Sequence, residues 1–468
     1  MKIMAFDIKQ ILFNLPEVKK PIEKKLSFNV KLKWTLVILA AFFILGNIPL
    51  YGLSGNALSN LEFLRLVLAS QFGSIVSLGI GPIVMSSIIL QLLAGSGIMK
   101  IDTKSPEGKK YFQGLQKIGV LFFIIFEAAV YVLMGGLQAV PGYTGILIFQ
   151  LILGGLAIMF MDEVVQKWGF GSGVSLFIVA GVAAALFSGL FQFMGANGEN
   201  CLLDFANTPC GGNVFIIIQS IAGGNLNEVL VSASIIISTI LIFLIVVWAQ
   251  SLKVEIPLSY EKLRGYGMKW PLAFFYSSNI PVILTAALAA NIQLFGNLLQ
   301  NWIGHGTILG EFSQGSATPG FTISYLIGQT NIIEALLRNN VQSIMVLQFF
   351  IHVLFYAGLS AVFAVFWVKT SGMDESSQAK NILASGLQIP GFRKDPRVLE
   401  AILKRYVLPL TIMGGVAVGL LAAVADSIGA LTGGTSLLLS VMIIYQLYQN
   451  IAQTHAMDMH PAMRKFIG

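Results

Sequence analysis

The stretch LEFLRLVLASQFG, Leu61–Gly73, runs directly into SIVSLGIGPIVMSSIILQLL, Ser74–Leu93. Leu61, Leu64, Leu68 and Phe72 fall on one stripe at helical spacing, which predicts a short apolar helix. It is too short to cross a bilayer, which takes roughly 20 residues. Gly73, Gly79 and Gly81 then permit a break, and Pro82 opens a second apolar helix. A non-spanning apolar helix at membrane depth is tolerated only where protein buries it or where it lines a cavity. The pair therefore predicts a re-entrant element able to stopper a cavity.

The rest of the 468-residue chain supplies the walls. It is 56% hydrophobic and 11% charged. Soluble domains carry about 25% charged residues, so a soluble enzyme and a disordered chain are both excluded. Lumen-facing alternation would also make an outer-membrane barrel less apolar. A polytopic, all-α membrane protein remains. Ten segments qualify or nearly qualify as spans: Leu36–Tyr51, Ile80–Ala94, Ile118–Met134, Thr144–Met161, Val174–Met194, Val229–Ala249, Phe274–Phe295, Val341–Val368, Tyr406–Ala425 and Thr435–Tyr448.

Charge placement sets the sidedness. Of the 29 Lys and Arg residues, all but Arg65 and Arg338 lie ahead of span one, in even-numbered loops, or in the tail. Both termini are thus expected in the cytoplasm, and a wrong span count would have scrambled the split. Residues 1–35 form a cytoplasmic segment in which Ile8, Ile11, Leu12 and Leu15 share a helical face. That face suits either the membrane interface or packing against the bundle. Five spans (36–195), an external hinge loop (196–227), five more spans (228–450) and a tail (451–468) follow. An odd number per half makes any repeat an inverted one. Pro82-Ile83-Val84 in span two and Pro281-Val282-Ile283 in span seven hold matching places. Matched proline helices point to a functional site, although proline is common in membrane helices generally.

Several chemistries are missing from the pattern. There is no Walker A run, HExxH, GxSxG or K⁺-filter sequence, and no cofactor, metal or enzymatic activity is expected. Two cysteines, Cys201 and Cys210, exclude a Cys-rich metal site. They lie in the external loop, where they are either disulfide-bonded or free. Only Glu127 sits clearly inside a span, suited to a helix–helix contact or a proton relay. His352 in span eight is expected to lack a charged partner. GFGSG, Gly169–Gly173, has no strand before it and reads as a tight lead-in to span five. An apolar, nearly uncharged interior serves an ion path poorly and a dewetting constriction well.

The run Gly73–Leu93 closely resembles the signature of the SecY family, the central subunits of the protein-conducting channel. GFGSGVSLFI (Gly169–Ile178), VEIPL (Val254–Leu258), SNIPVIL (Ser278–Leu284), GFRKDPRVLEAILKRYV (Gly391–Val407) and IGALTGGTSLLL (Ile428–Leu439) extend the resemblance along the chain. The loop before span nine is similar to the archaeal and eukaryotic branch. The resemblance implies a pore ring at Ile80, Val84, Val174, Ile178, Ile283 and Leu439. It implies a plug carrying Leu61, Leu64, Leu68 and Phe72 within residues 61–73. Spans two, three, seven and eight match the lateral gate, with Gln91 and Asn291 as its polar members; static contacts between helices are the other reading of those amides. Ribosome docking is implied for loops 250–273 and 369–405, at Lys262, Arg264, Lys269, Arg393, Lys394 and Arg397. Exposed cations there suit RNA phosphates, and the positive-inside rule also supplies them.

The implied function is a passive channel in the plasma membrane. It passes unfolded secretory chains and releases membrane segments sideways into lipid. A SecE-type subunit, a small β- or G-type third subunit, the ribosome with its nascent chain and signal sequence, and indirectly the signal recognition particle receptor are the implied partners. An inverted-repeat secondary transporter would need paired charges in its spans. A lipid flippase or assembly factor would need a polar groove open to lipid.

Overall fold

In a bilayer every backbone polar group needs a partner within the protein, and an apolar chain achieves this by coiling into long helices. The computed structural model describes residues 15–23, 26–58, 61–99, 105–195, 199–203, 205, 208–260, 267–277, 279–313, 316–384, 387–388 and 395–459. The first half contains α1 (Phe28–Gly46), β1 (Leu53–Asn56), α2 (Glu62–Val67), α3 (Gly81–Gly95), α4 (Pro106–Leu133), β2 (Leu137–Ala139), α5 (Thr144–Trp168) and α6 (Gly173–Phe191). The connecting region holds α7 (Asn213–Ala222). Then come α8 (Leu226–Gln250), β3 (Lys253–Tyr260), β4 (Gly267–Ala273), α9 (Ile280–Ile303), β5 (Phe312–Ser313), β6 (Ser316–Ala317), α10 (Ile323–Leu326) and α11 (Ile332–Leu337). The chain closes with α12 (Ser343–Ser371), α13 (Glu375–Ala384), β7 (Leu387–Gln388), α14 (Pro396–Ile428) and α15 (Gly434–Met459).

Among the described residues, eight helices are long and apolar enough to cross a membrane: α1, α4, α5, α6, α8, α9, α12 and α14. The 15-residue α3 is apolar but short. The expected spans are found as helices with shifted ends. The largest shifts are in α4, which starts twelve residues early, α15, which ends eleven late, and α14, which starts ten early and carries Pro409 inside. Polar first turns escape a hydropathy window yet continue the same hydrogen-bond ladder.

The all-α expectation needs correction, because three small antiparallel sheets form outside the long helices. β1 pairs with β2, β5 with β6, and the hairpin β3–β4 adds β7 on its other edge. A second buried cluster, including Ile256, Leu272, Tyr276, Leu399 and Leu403, welds that hairpin to α13 and the start of α14. The expected loops 250–273 and 369–405 are therefore largely a folded platform. Tyr276 donates to the Met373 carbonyl at 2.6 Å, and burial pushes its hydroxyl pKa above the ordinary range.

The N-terminal segment is strapped to α4 and to the end of α5. Lys117 bridges Glu163 and also donates to the Pro16 carbonyl. The Val18 amide donates to Glu163 Oε2 at 2.9 Å, and Lys167 returns to the Val18 carbonyl at 2.7 Å. Trp168 Nε1 reaches the Lys19 carbonyl at 2.9 Å. Beneath the strap lies a cavity of about 1290 Å³, reaching Ile83 and Asp162. Leu15 lines it; Ile8, Ile11 and Leu12 lie outside the described residues.

Candidate functional site

The decisive stretch folds into a shorter helix than the apolar stripe predicts. α2 covers only Glu62–Val67, because Ala69 turns into the left-handed region at φ +46° and ends it. Leu61, Leu64 and Leu68 are buried, whereas Phe72 is half-buried and tilted against the Tyr131 ring. The helix packs against α6, α9 and α15, which come from both halves of the chain.

After α2 the backbone doubles back. Gly79 adopts φ +53°, and a Cβ there would stand 2.2 Å from the Leu68 carbonyl oxygen. Only glycine permits that approach. The approach lets Ile80 N–H donate to the Leu68 carbonyl at 2.8 Å. A backbone hydrogen bond thus joins the expected plug to an expected ring residue.

Ile80 is the N-cap of α3, and Val84 lies one turn further on. Ile178 is on α6, Ile283 on α9 and Leu439 on α15; all five are buried. Val174, at the start of α6, is half-buried. All six belong to, or pack on, the one apolar cluster that also holds Leu61, Leu64 and Leu68. The side chains expected to form the ring and those expected to form the plug are thus packed together.

The flank where α3 and α4 face α9 and α12 is different. α3 packs on both α9 and α12, and the Phe126 and Phe295 rings of α4 and α9 are 6.4 Å apart. Gln91 and Asn291 are buried there but do not tie helices together. Asn291 Nδ2 donates to Ala287 on its own helix at 2.8 Å. Asn291 Oδ1, Gln91 Oε1 and both carboxylate oxygens of Glu127 have no hydrogen-bond partner. The helix–helix contact expected of Glu127 is therefore not a hydrogen bond; its carboxylate lies against the Gly81 backbone.

His352 corrects a second expectation. Its Nε2 lies 3.2 Å from Asp426 Oδ2, and both side chains are fully buried. Its Nδ1 donates to the Ile327 carbonyl at 2.8 Å. Asp426 follows immediately after the apolar window of span nine, and α14 runs on to include it. Asp162 escaped in the same way behind span four and is buried within α5. Both were legible as acids at equivalent span ends.

In the loop between α6 and α7, Cys201 and Cys210 are disulfide-bonded. Gln219 of α7 braces the loop, accepting from the Cys210 amide and donating to the Phe205 and Thr208 carbonyls. On the basic platform Lys269 is exposed and pairs with Glu255 at 2.6 Å, a hydrogen bond that raises the lysine pKa. Arg397 is exposed in the first turn of α14, its amide capped by Asp395 Oδ1 at 2.9 Å. Lys262, Arg264, Arg393 and Lys394 lie outside the described residues.

This arrangement has known counterparts. A family model described as SecY matches residues 74–448, and one described as the plug domain of Sec61p matches residues 41–73. The chain is similar to the protein translocase subunit SecY of Methanothermobacter thermautotrophicus, 44% identical over 97% of both chains. It superposes on a structure described as that of a protein conducting channel with a TM-score of 0.81, at 37% identity, covering 97% of this chain and 98% of that one. For Sec61 in the canine ribosome-channel complex from the endoplasmic reticulum the TM-score is 0.78, at 37% identity and the same coverage.

Proposed function

The chain belongs to the SecY family, and from that premise we propose how this multi-pass membrane channel subunit is built and worked. The observation that carries the reading is the short helix α2, seated among α6, α9 and α15 and hydrogen-bonded through Leu68 to Ile80. Ten spans form two inverted halves, with both termini in the cytoplasm, following the charge split. α3 and α15 supply spans two and ten; α3 begins in the interior, where α2 covers the outer side.

Ile80, Val84, Val174, Ile178, Ile283 and Leu439 form an apolar gasket around a passing polypeptide. It offers no hydrogen bonds, so passage tolerates any sequence. At rest the ring dewets and Leu61, Leu64, Leu68 and Phe72 close it from outside. A signal sequence or membrane segment shifts the population to a state in which α3 and α4 part from α9 and α12. The unpartnered oxygens of Gln91 and Asn291 support that site for the opening, since a seam with few polar ties is the one that parts. The plasma membrane is the bilayer concerned.

The platform bearing Lys269 and Arg397, with Lys262, Arg264, Arg393 and Lys394 in its loops, docks the ribosome through RNA phosphates. A SecE-type subunit and a small third subunit complete the assembly, and the signal recognition particle receptor delivers substrates to it. The driving force comes from the ribosome or another motor.

Crosslinking tests the reading. Ile80→Cys or Ile283→Cys, with Cys201 and Cys210 replaced, is offered a ribosome-stalled secretory chain bearing one cysteine. A disulfide adduct whose position moves with nascent-chain length is expected. Bound ribosomes without an adduct at either position would remove the gasket from the account.

A further inference from the structure

The first turn of a helix leaves its backbone N–H groups without intrahelical acceptors. α6 and α15 carry Ile178 and Leu439, yet neither is capped by the residue that precedes it. Ser172, before α6, makes no side-chain capping bond. Gly433, before α15, has no side chain to offer and sits at φ +75°.

In both cases a buried aspartate from the preceding long helix does the capping. Asp162 Oδ1 accepts from the Val174 amide at 3.0 Å, while Gln166 holds its Oδ2 at 2.7 Å. Asp426 Oδ1 accepts from the Thr435 amide at 2.7 Å and from Gln329 Nε2 at 3.0 Å. Asp426 Oδ2 takes the Thr435 hydroxyl and faces His352. Val174 and Thr435 are each the second residue of their helix; Ile178 and Leu439 are each the sixth. The first residue of each is a glycine pressed against the aspartate's own backbone. A Cβ at Gly173 would stand 2.6 Å from Asp162 Cα, and one at Gly434 would stand 2.2 Å from the Asp426 nitrogen.

The two sites are the same device, built once in each half. From this geometry we infer that Asp162 and Asp426 are positioning residues of the pore seal, fixing how far Val174, Ile178 and Leu439 project. The inference rests on the ring proposed above. The aspartate touches no substrate. It anchors the helix start by backbone bonds, four residues short of the side chain that seals, and glycine contact leaves no slack. Moving either carboxylate lets the first turn drift outward, widening the gasket without dismantling the bundle.

The test is resting ion conductance of the full complex in planar bilayers, with the thermal midpoint recorded for each variant. Asp162→Ala and Asp426→Ala are expected to raise the resting conductance on the order of tenfold, since a bond at a buried cap controls the helix start. Asp162→Asn is expected to stay sealed, because an amide carbonyl caps as well as a carboxylate. Asp162→Glu keeps the charge but moves it by one methylene, and is expected to leak; it decides the matter if the alanine variant fails to fold. A merely structural role would lower the midpoint without this pattern of leak and rescue. Ile178→Gly serves as the independent control. If it leaks while folded Asp162→Ala and Asp426→Ala, or Asp162→Glu, stay sealed, this inference falls and the ring stands. If Ile178→Gly stays sealed as well, the ring itself falls.

Discussion

Contacts inside the halves and contacts across the seam between them are made of different chemistry. Inside, helices meet backbone to backbone and share polar groups. A Cβ at Gly419 of α14 would lie 2.3 Å from the Tyr356 carbonyl of α12, and one at Gly415 would lie 2.8 Å from the Ala364 Cβ. Thr285 and Ser360 join α9 to α12 at 3.1 Å, while Ser86, Ser87 and Gln116 join α3 to α4. Across the seam α3 meets α9 and α12 on apolar side chains and on oxygens that have no partner. The difference supports the place of opening proposed above. Each unpartnered buried polar atom costs roughly 1–3 kcal/mol. Under the proposed function the seam would give up little on opening, and the halves would travel as bodies.

The largest effect should come from attacking a half. Gly419→Leu forces α12 and α14 apart, at a cost of about 3 kcal/mol. A thermal melt should show a midpoint well below wild type, and an unchanged midpoint would break the idea of rigid halves. Next comes the disulfide-bonded loop. Replacing Cys201 and Cys210 by serine should loosen it by about 2–3 kcal/mol, taking a nine-residue loop in the chain-entropy model. Limited proteolysis should then cut between residues 192 and 213, while resting conductance stays at its wild-type value. A leak would show that the hinge and the seal are coupled.

A smaller effect of opposite sign is expected at the seam. Asn291→Leu removes the lone Oδ1 and favours closure by about 1 kcal/mol. Reporters with weakly apolar signal sequences should cross roughly fivefold more slowly, by the same figure. Faster crossing would mean that the seam is held by Asn291 and not merely tolerant of it. The smallest effect belongs to the platform surface. Glu255→Ala should lower the Lys269 pKa towards its ordinary value, as followed by NMR, with no measurable change in melting, since exposed pairs contribute little.

Much of this was legible in the sequence. Apolar runs and the lysine distribution located the long helices, because hydrophobic length and charge placement are local properties. The plug stripe was visible, but its early end was not. Ala69 turns at a positive φ that glycine normally takes, beside the close approach of Gly79 to the Leu68 carbonyl, a contact no local pattern encodes. The disulfide was one of two readings, since spacing does not fix pairing. Asp162 and Asp426 were missed because a hydropathy window stops at the first charge, just where a buried cap belongs. His352 was then read as solitary. Gln91 and Asn291 were legible as polar, but whether an amide bonds to its own helix or a neighbour depends on rotamers that no local pattern encodes.

The strap at Pro16–Lys19 also has a bearing on biogenesis. Its anchors, Lys117, Glu163, Lys167 and Trp168, lie 101–149 residues further along the chain. Synthesis is directional, so the segment must wait for about 150 further residues before it finds its seat. The cavity beneath it is lined by the same late segment, so wall and cover form together. Closing the strap therefore requires that α4 and α5 are already side by side.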